Sequence, residues 1–386
     1  MKTAVIVDCC RTAIGRAHPE RGVFRDVRSD DLAAAVVRAL IERTGIDPAA
    51  IEDLVLGNTQ QTKEQGFNIG RIVALVAGLP SSVAGATVNR LCGSSLQALN
   101  QASHSIAAGG EDVQIVGGLE HMHHLPMDHG IDLNPKLFHN TSKAALHMGY
   151  TAEFLAQSQG IAREAQDEFA LASHQKAAAA TEAGEFDPEI IPVWGRDEAG
   201  ERQLITADQC IRPDTSLEQL AALKPAFMPG IGTVTAGNSS PLNDGAAAML
   251  VMSEERAKEL GLNPIAKIRA TAVAGVDPAV MGTGPVPATQ KALKRAGLSL
   301  ADIGLIELNE AFAAQAIACM QMLELDPKKV NVRGGSLAIG HPLGASGARI
   351  ATTLIHAMLA RSDVQFGLAT MCIGIGQGIA TVVERV

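Results

Sequence analysis

Apolar and polar positions along the chain switch between a period near 3.6 and short continuous apolar runs. Residues 4–7, Ala-Val-Ile-Val, closed by Asp8, have the length of a buried strand. Residues 31–43 carry helical periodicity, Gly45-Ile46-Asp47-Pro48 interrupts it, and 51–57 follow as strand and turn. The same order returns later: 288–296 is helical, Gly297-Leu298-Ser299 breaks it, and 303–309 reads as a strand. Val113-Gln114-Ile115-Val116-Gly117 has a further echo in Val364-Gln365-Phe366-Gly367-Leu368. A matched succession of helix, strand and glycine turn predicts a duplicated α/β domain rather than a short-period solenoid. Between the halves, residues 119–237 change texture, with a histidine-rich loop, a polar helix over 162–183 and a proline-dotted run. That stretch reads as an insertion carried by the first half.

Composition narrows the function classes. The 386 residues suffice for two or more core-sized units. Aromatic residues make up only 3% against 38 glycines, so the core is expected to be Val, Ile, Leu and Ala with close backbone approach. Few stacking side chains and a formal net charge of -9 argue against nucleic-acid binding. Six cysteines, spread thinly, do not read as a disulfide framework. The first apolar run is too short for a secretory signal, and no apolar stretch reaches the roughly 18 residues of a membrane helix. The expectation is a reduced, cytoplasmic protein.

Four places carry candidate chemistry. Cys92 follows Thr87-Val88-Asn89-Arg90-Leu91 and precedes Gly93-Ser94-Ser95, and Leu96, Leu99, Ala102 and Ile106 then recur at helical spacing. A thiol at a helix N-terminus meets unpaired N–H groups and the helix dipole, which favour thiolate; the alternative is an inert, buried cysteine. His341 stands in a glycine-rich run from Gly334 to Gly347, held off helical geometry by Pro342, where it either accepts a proton or bonds turn carbonyls. Cys372 precedes Gly374-Ile375-Gly376-Gln377-Gly378, a tight hairpin whose exposed N–H groups suit an oxyanion, or a structural turn beside a core cysteine. Asn309 lies where the strand meets a helix expected from Glu310; it can cap that helix, face a ligand, or both. The cluster Glu120, His121, His123, His124 and His129 has enough ligands for zinc, but its spacing fits no zinc signature and it reads as a loop.

Together these segments resemble the thiolase family along nearly the whole chain. The motifs are Val88-Asn89-Arg90-Leu91-Cys92-Gly93-Ser94-Ser95, Gly117-Gly118-Leu119-Glu120 and Met148-Gly149-Tyr150-Thr151-Ala152-Glu153. Thr235-Ala236-Gly237-Asn238-Ser239-Ser240, Asn309-Glu310-Ala311-Phe312, Gly340-His341-Pro342 and Cys372-Ile373-Gly374 complete the set. Residues 121–130, 211–213 and 371–386 look most like the branch that forms the β subunit of bacterial fatty acid oxidation complexes. The resemblance implies duplicated α/β domains in a five-layer αβαβα arrangement with an inserted loop domain. It divides the chain into 1–118 plus 238–262, a CoA-binding loop domain over 119–237, and 263–386.

The resemblance also implies an acyltransferase that cleaves a 3-ketoacyl-CoA with CoA, with no bound cofactor and no metal. Cys92 would be the nucleophile, His341 its base and Cys372 the second acid/base. Oxyanion sites would come from the Cys92 and Gly374 N–H groups and from His341 with a water held by Asn309. Ser240, Arg212 and His147 would line the CoA site. A homodimer paired with a hydratase–dehydrogenase α subunit, an α2β2 complex, is the implied assembly. Ala345 stands where many degradative relatives carry cysteine, and Ser95 replaces a glycine of many biosynthetic ones. The alternative is a biosynthetic acetyl-CoA acetyltransferase.

Overall fold

The computed structural model describes residues 2–386; Met1, first residue of the expected first domain, lies outside them. The first half runs β1 (Ala4–Thr12), β2 (Gly15–Arg16), α1 (Ser29–Thr44), β3 (Asp53–Gly57), α2 (Ile69–Val76), β4 (Ala84–Val88), α3 (Ser94–Ala108) and β5 (Val113–His121). A long excursion follows, with α4 (Met148–Ser158), α5 (Arg163–Glu182), β6 (Ile190–Ile191), β7 (Val193–Arg196), β8 (Arg202–Ile205) and α6 (Leu217–Ala221). β9 (Asn243–Ser253) and α7 (Glu254–Glu259) close that half. The second half runs β10 (Ala266–Gly275), α8 (Pro285–Ala296), β11 (Ile303–Leu308), α9 (Ala313–Leu323), α10 (Leu343–Leu359), β12 (Phe366–Ile373) and β13 (Gln377–Arg385).

The duplication expected from the hydrophobic pattern is present in the strand pairing. In the first half the order is β1-β9-β5-β3-β4, with β1/β9 and β9/β5 antiparallel and β5/β3/β4 parallel. The second half repeats it as β10-β13-β12-β11, with two antiparallel pairs and then a parallel one. The counterpart of β4 is reduced to a parallel bridge from Ile306 to Val330. Among the described residues the half-sheets pair edge to edge through Val5–Lys267 and Ile6–Ala266.

Five layers follow from which side chains each strand turns to which side. Side chains alternate along a strand with period two. On β1, Val5 and Val7 join the core under α1 and α2, while Ala4 and Ile6 join the central one. On β9, Ala246, Ala248, Leu250 and Met252 face outward to α1, and Ala247, Met249 and Val251 face inward. β13 does the same, with Ala380 and Val382 under α8 and α9 and Ile379 and Val383 inward. The inner layer is α3 and α10, so β9 and β12 are covered on both faces and read as near-continuous apolar runs.

Small residues let the two inner helices meet at their first turns. A Cβ on Gly347 of α10 would lie 2.6 Å from Leu96 Cβ and collide with the Leu96 backbone on α3. The Ala348 N–H donates to Ser95 Oγ at 2.8 Å one residue along. Cys92 immediately precedes α3 and His341 immediately precedes α10, so this contact brings the two candidate chemical groups to adjacent helix starts. No helix among the described residues is long and apolar enough to cross a membrane.

Candidate active site

Cys92 is set by a strained turn. Leu91 is in the left-handed region at φ 46°, a conformation costly for a branched residue and common at functional turns. Asn89 Oδ1 accepts the Leu91 N–H at 2.8 Å and Ser94 Oγ accepts that of Arg90 at 2.9 Å. Arg90 then donates to Gln97 on α3 and to Gln377 on β13, tying the turn to the β12–β13 hairpin. A Cβ at Gly93 would lie 2.5 Å from Ile373 Cδ1, so a larger residue there would push that side chain aside.

The thiol is buried, and burial pushes it up to about 11; the Gly374 and Cys92 backbone N–H groups act against that rise. The expectation of a resting thiolate is therefore corrected. The helix start is where the sequence places it, but the price of burying a charge outweighs it. What survives is the direction of the N–H groups. Gly374 and Cys92 donate toward the same sulfur, so negative charge developing on or beside it finds donors already in place.

Cys372, on β12 just before the hairpin, is also buried and held well above the usual thiol value, first by burial and then by the neighbouring Cys92. Around Cys372 pack Ala152, Val234, Met281, Ala311 and Phe312, with Met148 and Phe227 partly buried beside them. The Phe227 and Phe312 rings meet edge to face at 6.0 Å.

His341 is anchored through its backbone N–H and both ring nitrogens. Its backbone N–H donates to Asn243 Oδ1 at 2.8 Å, Nδ1 faces Ser346 Oγ at 2.6 Å, and Nε2 faces Asn309 Nδ2 at 3.4 Å. Gly340, at φ 121°, makes the approach possible, since a Cβ would lie 2.7 Å from the Asn243 amide. Burial, reinforced by Arg349, holds the imidazole down to about 3, so it is neutral at physiological pH and free to accept a proton.

Asn309 does not cap a helix. The helix begins at Ala313, with Phe312 at its cap, because the intervening Glu310 is drawn away. The Glu310 carboxylate accepts from Asn331 Nδ2, Ser173 Oγ and the Leu337 N–H, which pins the glycine turn before His341. Asn309 is instead buried with Ser336 Oγ donating to its Oδ1 at 2.6 Å.

Ser240 is half-buried and its N–H donates to the Ala311 carbonyl at 3.0 Å, two residues from Asn309. His147 is exposed at the start of α4, one residue before Met148, with its ring edge-on to Tyr150 at 5.8 Å. Arg212 is exposed too; its backbone N–H donates to His174 Nδ1 at 3.2 Å, and it borders a recess shared with Ser239 and Leu337.

Glu120 and His121 are the last residues of β5, and His123, His124 and His129 lie in the turns that follow, as the sequence leads one to expect. The Glu120 carboxylate accepts from Thr59, Gln65 and the Gly344 N–H, joining the β3 loop to the first turn of α10. His121 and His124 stack at 3.7 Å, with His121 Nε2 at the Phe24 carbonyl and His124 between Glu64 and the Arg25 carbonyl. Among the described residues no group of three or more His, Cys, Asp or Glu side chains is placed to hold a metal ion. Asn243, Ser336 and Arg349 belong to the site and escape sequence reasoning. A lone arginine among the apolar residues of α10 is the one signal that could have found them.

The comparisons with known proteins follow the same line. A family model described as "Thiolase, N-terminal domain" matches residues 4–255, and one described as "Thiolase, C-terminal domain" matches 262–385. A protein named "3-ketoacyl-CoA thiolase" from Aliivibrio fischeri is 59% identical over the full length of both chains. One of the same name from Psychrobacter cryohalolentis is 56% identical, over 100% of this chain and 98% of its own. A solved acetyl-CoA acetyltransferase from Bacillus anthracis superposes with a TM-score of 0.90 at 39% identity, covering 100% of this chain and 99% of that one. With both halves matched and full-length relatives above half identity, the chain belongs to the thiolase family.

Proposed function

We propose that the protein is a 3-ketoacyl-CoA thiolase of fatty acid β-oxidation, working through an acyl-Cys92 intermediate. The observation that carries the reading is the convergence on one sulfur: two N–H donors from Cys92 and Gly374, Cys372 alongside, and a neutral His341 at the adjoining helix start. Full-length relatives carrying that name, at 56–59% identity, support it.

In the first half-reaction Cys92 attacks the 3-keto carbonyl as His341 Nε2 takes its proton, so charge never has to sit on a resting sulfur. The tetrahedral oxyanion is held by the Cys92 and Gly374 N–H groups beside the sulfur, while His341 and a water on Asn309 face the thioester oxygen that carries the enolate charge. Breaking the bond between C2 and C3 leaves Cys92 acylated and releases an acetyl-CoA enolate, which takes its proton from Cys372. The Cys372 thiolate then deprotonates incoming CoA. The CoA sulfur attacks the acyl-enzyme, its oxyanion held by the Cys92 and Gly374 N–H groups, and Cys92 leaves to recover its proton from His341.

The insertion over 119–237 is assigned to CoA binding, with Ser240, Arg212 and His147 along its path, between halves 1–118 plus 238–262 and 263–386. A homodimer, pairing with a hydratase–dehydrogenase α subunit as α2β2, and a cytoplasmic setting complete the proposal. Turnover of acetoacetyl-CoA against a C8 3-ketoacyl-CoA tests it. The proposal expects the longer substrate to be cleaved efficiently; strict preference for acetoacetyl-CoA would assign the chain to biosynthetic condensation instead.

A further inference from the structure

We infer that Ser336 is a positioning residue that sets the proton-accepting tautomer of His341, acting through the Asn309 amide and held in its own orientation by Arg349. The inference rests on His341 being the base for Cys92, as proposed above.

Hydrogen-bond polarity runs one way along this chain of groups. A guanidinium only donates. Arg349, on α10 and wholly buried, places Nη2 2.6 Å from Ser336 Oγ, so the serine oxygen accepts there. The single hydroxyl proton is then free to go to Asn309 Oδ1 at 2.6 Å. With Oδ1 committed to Ser336, the amide must turn Nδ2 toward His341, 3.4 Å from Nε2. Nε2 therefore presents a lone pair, and the ring proton sits on Nδ1, donated to Ser346 Oγ at 2.6 Å. All five groups are buried, so water does not compete for these bonds.

Reversing the amide shows what Ser336 contributes. With Oδ1 facing Nε2, the ring would favour its proton on Nε2, and that tautomer has nothing to accept the Cys92 proton with. Without the hydroxyl, nothing on the Oδ1 side distinguishes the two amide orientations. Arg349 is well suited to its end of the relay. Its Nε and Nη1 have no hydrogen-bond partner among the described residues, and its counter-ion Glu307 is 3.6 Å away. The Nη2 bond to Ser336 is thus the direct hydrogen bond that fixes the guanidinium. Ser336 is not serving the glycine turn with its hydroxyl either; the turn uses its carbonyl, which accepts the Gly340 N–H.

The test compares Ser336→Ala and the volume-matched Ser336→Cys with the parent protein and a His341→Ala control. Two measurements are made: the single-turnover rate of Cys92 acylation by 3-ketooctanoyl-CoA, and the His341 signals in histidine-selective 15N spectra, assigned by their loss in the control. Ser336→Ala should slow acylation by about 10²-fold with KM within about twofold, the scale of lost general-base catalysis. Its His341 signal should move from a single Nδ1–H form to a mixture. Ser336→Cys, a weaker donor, should fall between, and it carries the test if the alanine variant does not fold. Parental acylation in the variant that folds, or slow acylation with an unchanged His341 tautomer, overturns the inference. A His341→Ala control that acylates normally would remove the base assignment instead; the tautomer spectra, which need no turnover, keep the two failures apart.

Discussion

Replacing His341 by alanine separates two ways in which a cysteine and a histidine can cooperate. In one, the pair rests as thiolate and imidazolium, and the histidine's work is done before substrate arrives. In the other, both are neutral and the proton moves only as the sulfur attacks. Burial pushes the Cys92 thiol up to about 11 and holds the His341 imidazole down to about 3. Both shifts oppose charge separation, so the pair rests neutral and the proton moves only as the sulfur attacks. Alkylation of Cys92 by iodoacetamide should then climb with pH through 9 without a plateau near neutrality, and identically in His341→Ala. Acylation by substrate, read by rapid quench and mass spectrometry, should nonetheless fall by about 10²–10⁴-fold in the variant, the range for a lost general base. An alkylation plateau with a midpoint near 7 that disappears in His341→Ala would refute the reasoning, as would acylation within about threefold of the parent.

Three further outcomes follow from the geometry around the site. Gly347→Ala puts a methyl group into the Leu96 backbone where α3 and α10 touch, and should cost about 1–3 kcal/mol in urea denaturation while slowing acylation; unchanged stability would contradict that contact. Glu120→Gln replaces an acceptor with a donor opposite Thr59, Gln65 or Gly344, and should cost about 1–3 kcal/mol by the same measurement; a loss below about 0.5 would show the carboxylate is not needed there. His174 is held down to about 4 by burial, with Arg212 adding to the effect, so its contribution is complete above about 6.5 and is lost as pH falls toward 4. At pH 5 that loss is about 2 kcal/mol, and His174→Gln should show a shallower fall in stability between pH 6.5 and 5 than the parent; equal slopes would contradict it.

Much of the scaffold is legible in the sequence because it is written locally. The helices after Cys92 and His341, the hairpin after Cys372 and the helix–strand repeats all show in periodicity and glycine placement, and the structure has each of them. The features that escape are those fixed at a distance. The start of a helix at Asn309 fails because Glu310 is claimed by Ser173 and Asn331, which no local pattern announces. The histidine-rich segment reads as a loop, yet its first residues complete β5, because Glu120 is needed to bind Gly344, 224 positions away. A resting thiolate at Cys92 follows from the helix start alone and fails once burial in the central layer is counted. The relay from Arg349 through Ser336 to Asn309 joins residues from α10, the glycine turn and the end of β11, and only the fold brings them together.

The division of labour between the two thiols is the account's central claim, and a Cys372→Ser variant exposed briefly to 3-ketooctanoyl-CoA tests it most directly. Peptide mass spectrometry should find an octanoyl-chain remnant, shortened by the released acetyl unit, on Cys92 alone, as in the parent, while multiple turnover with CoA falls severely. No adduct on Cys92 in the parent, or an adduct on the parent's Cys372, would contradict the account; so would a Cys372→Ser variant that cannot be acylated at all.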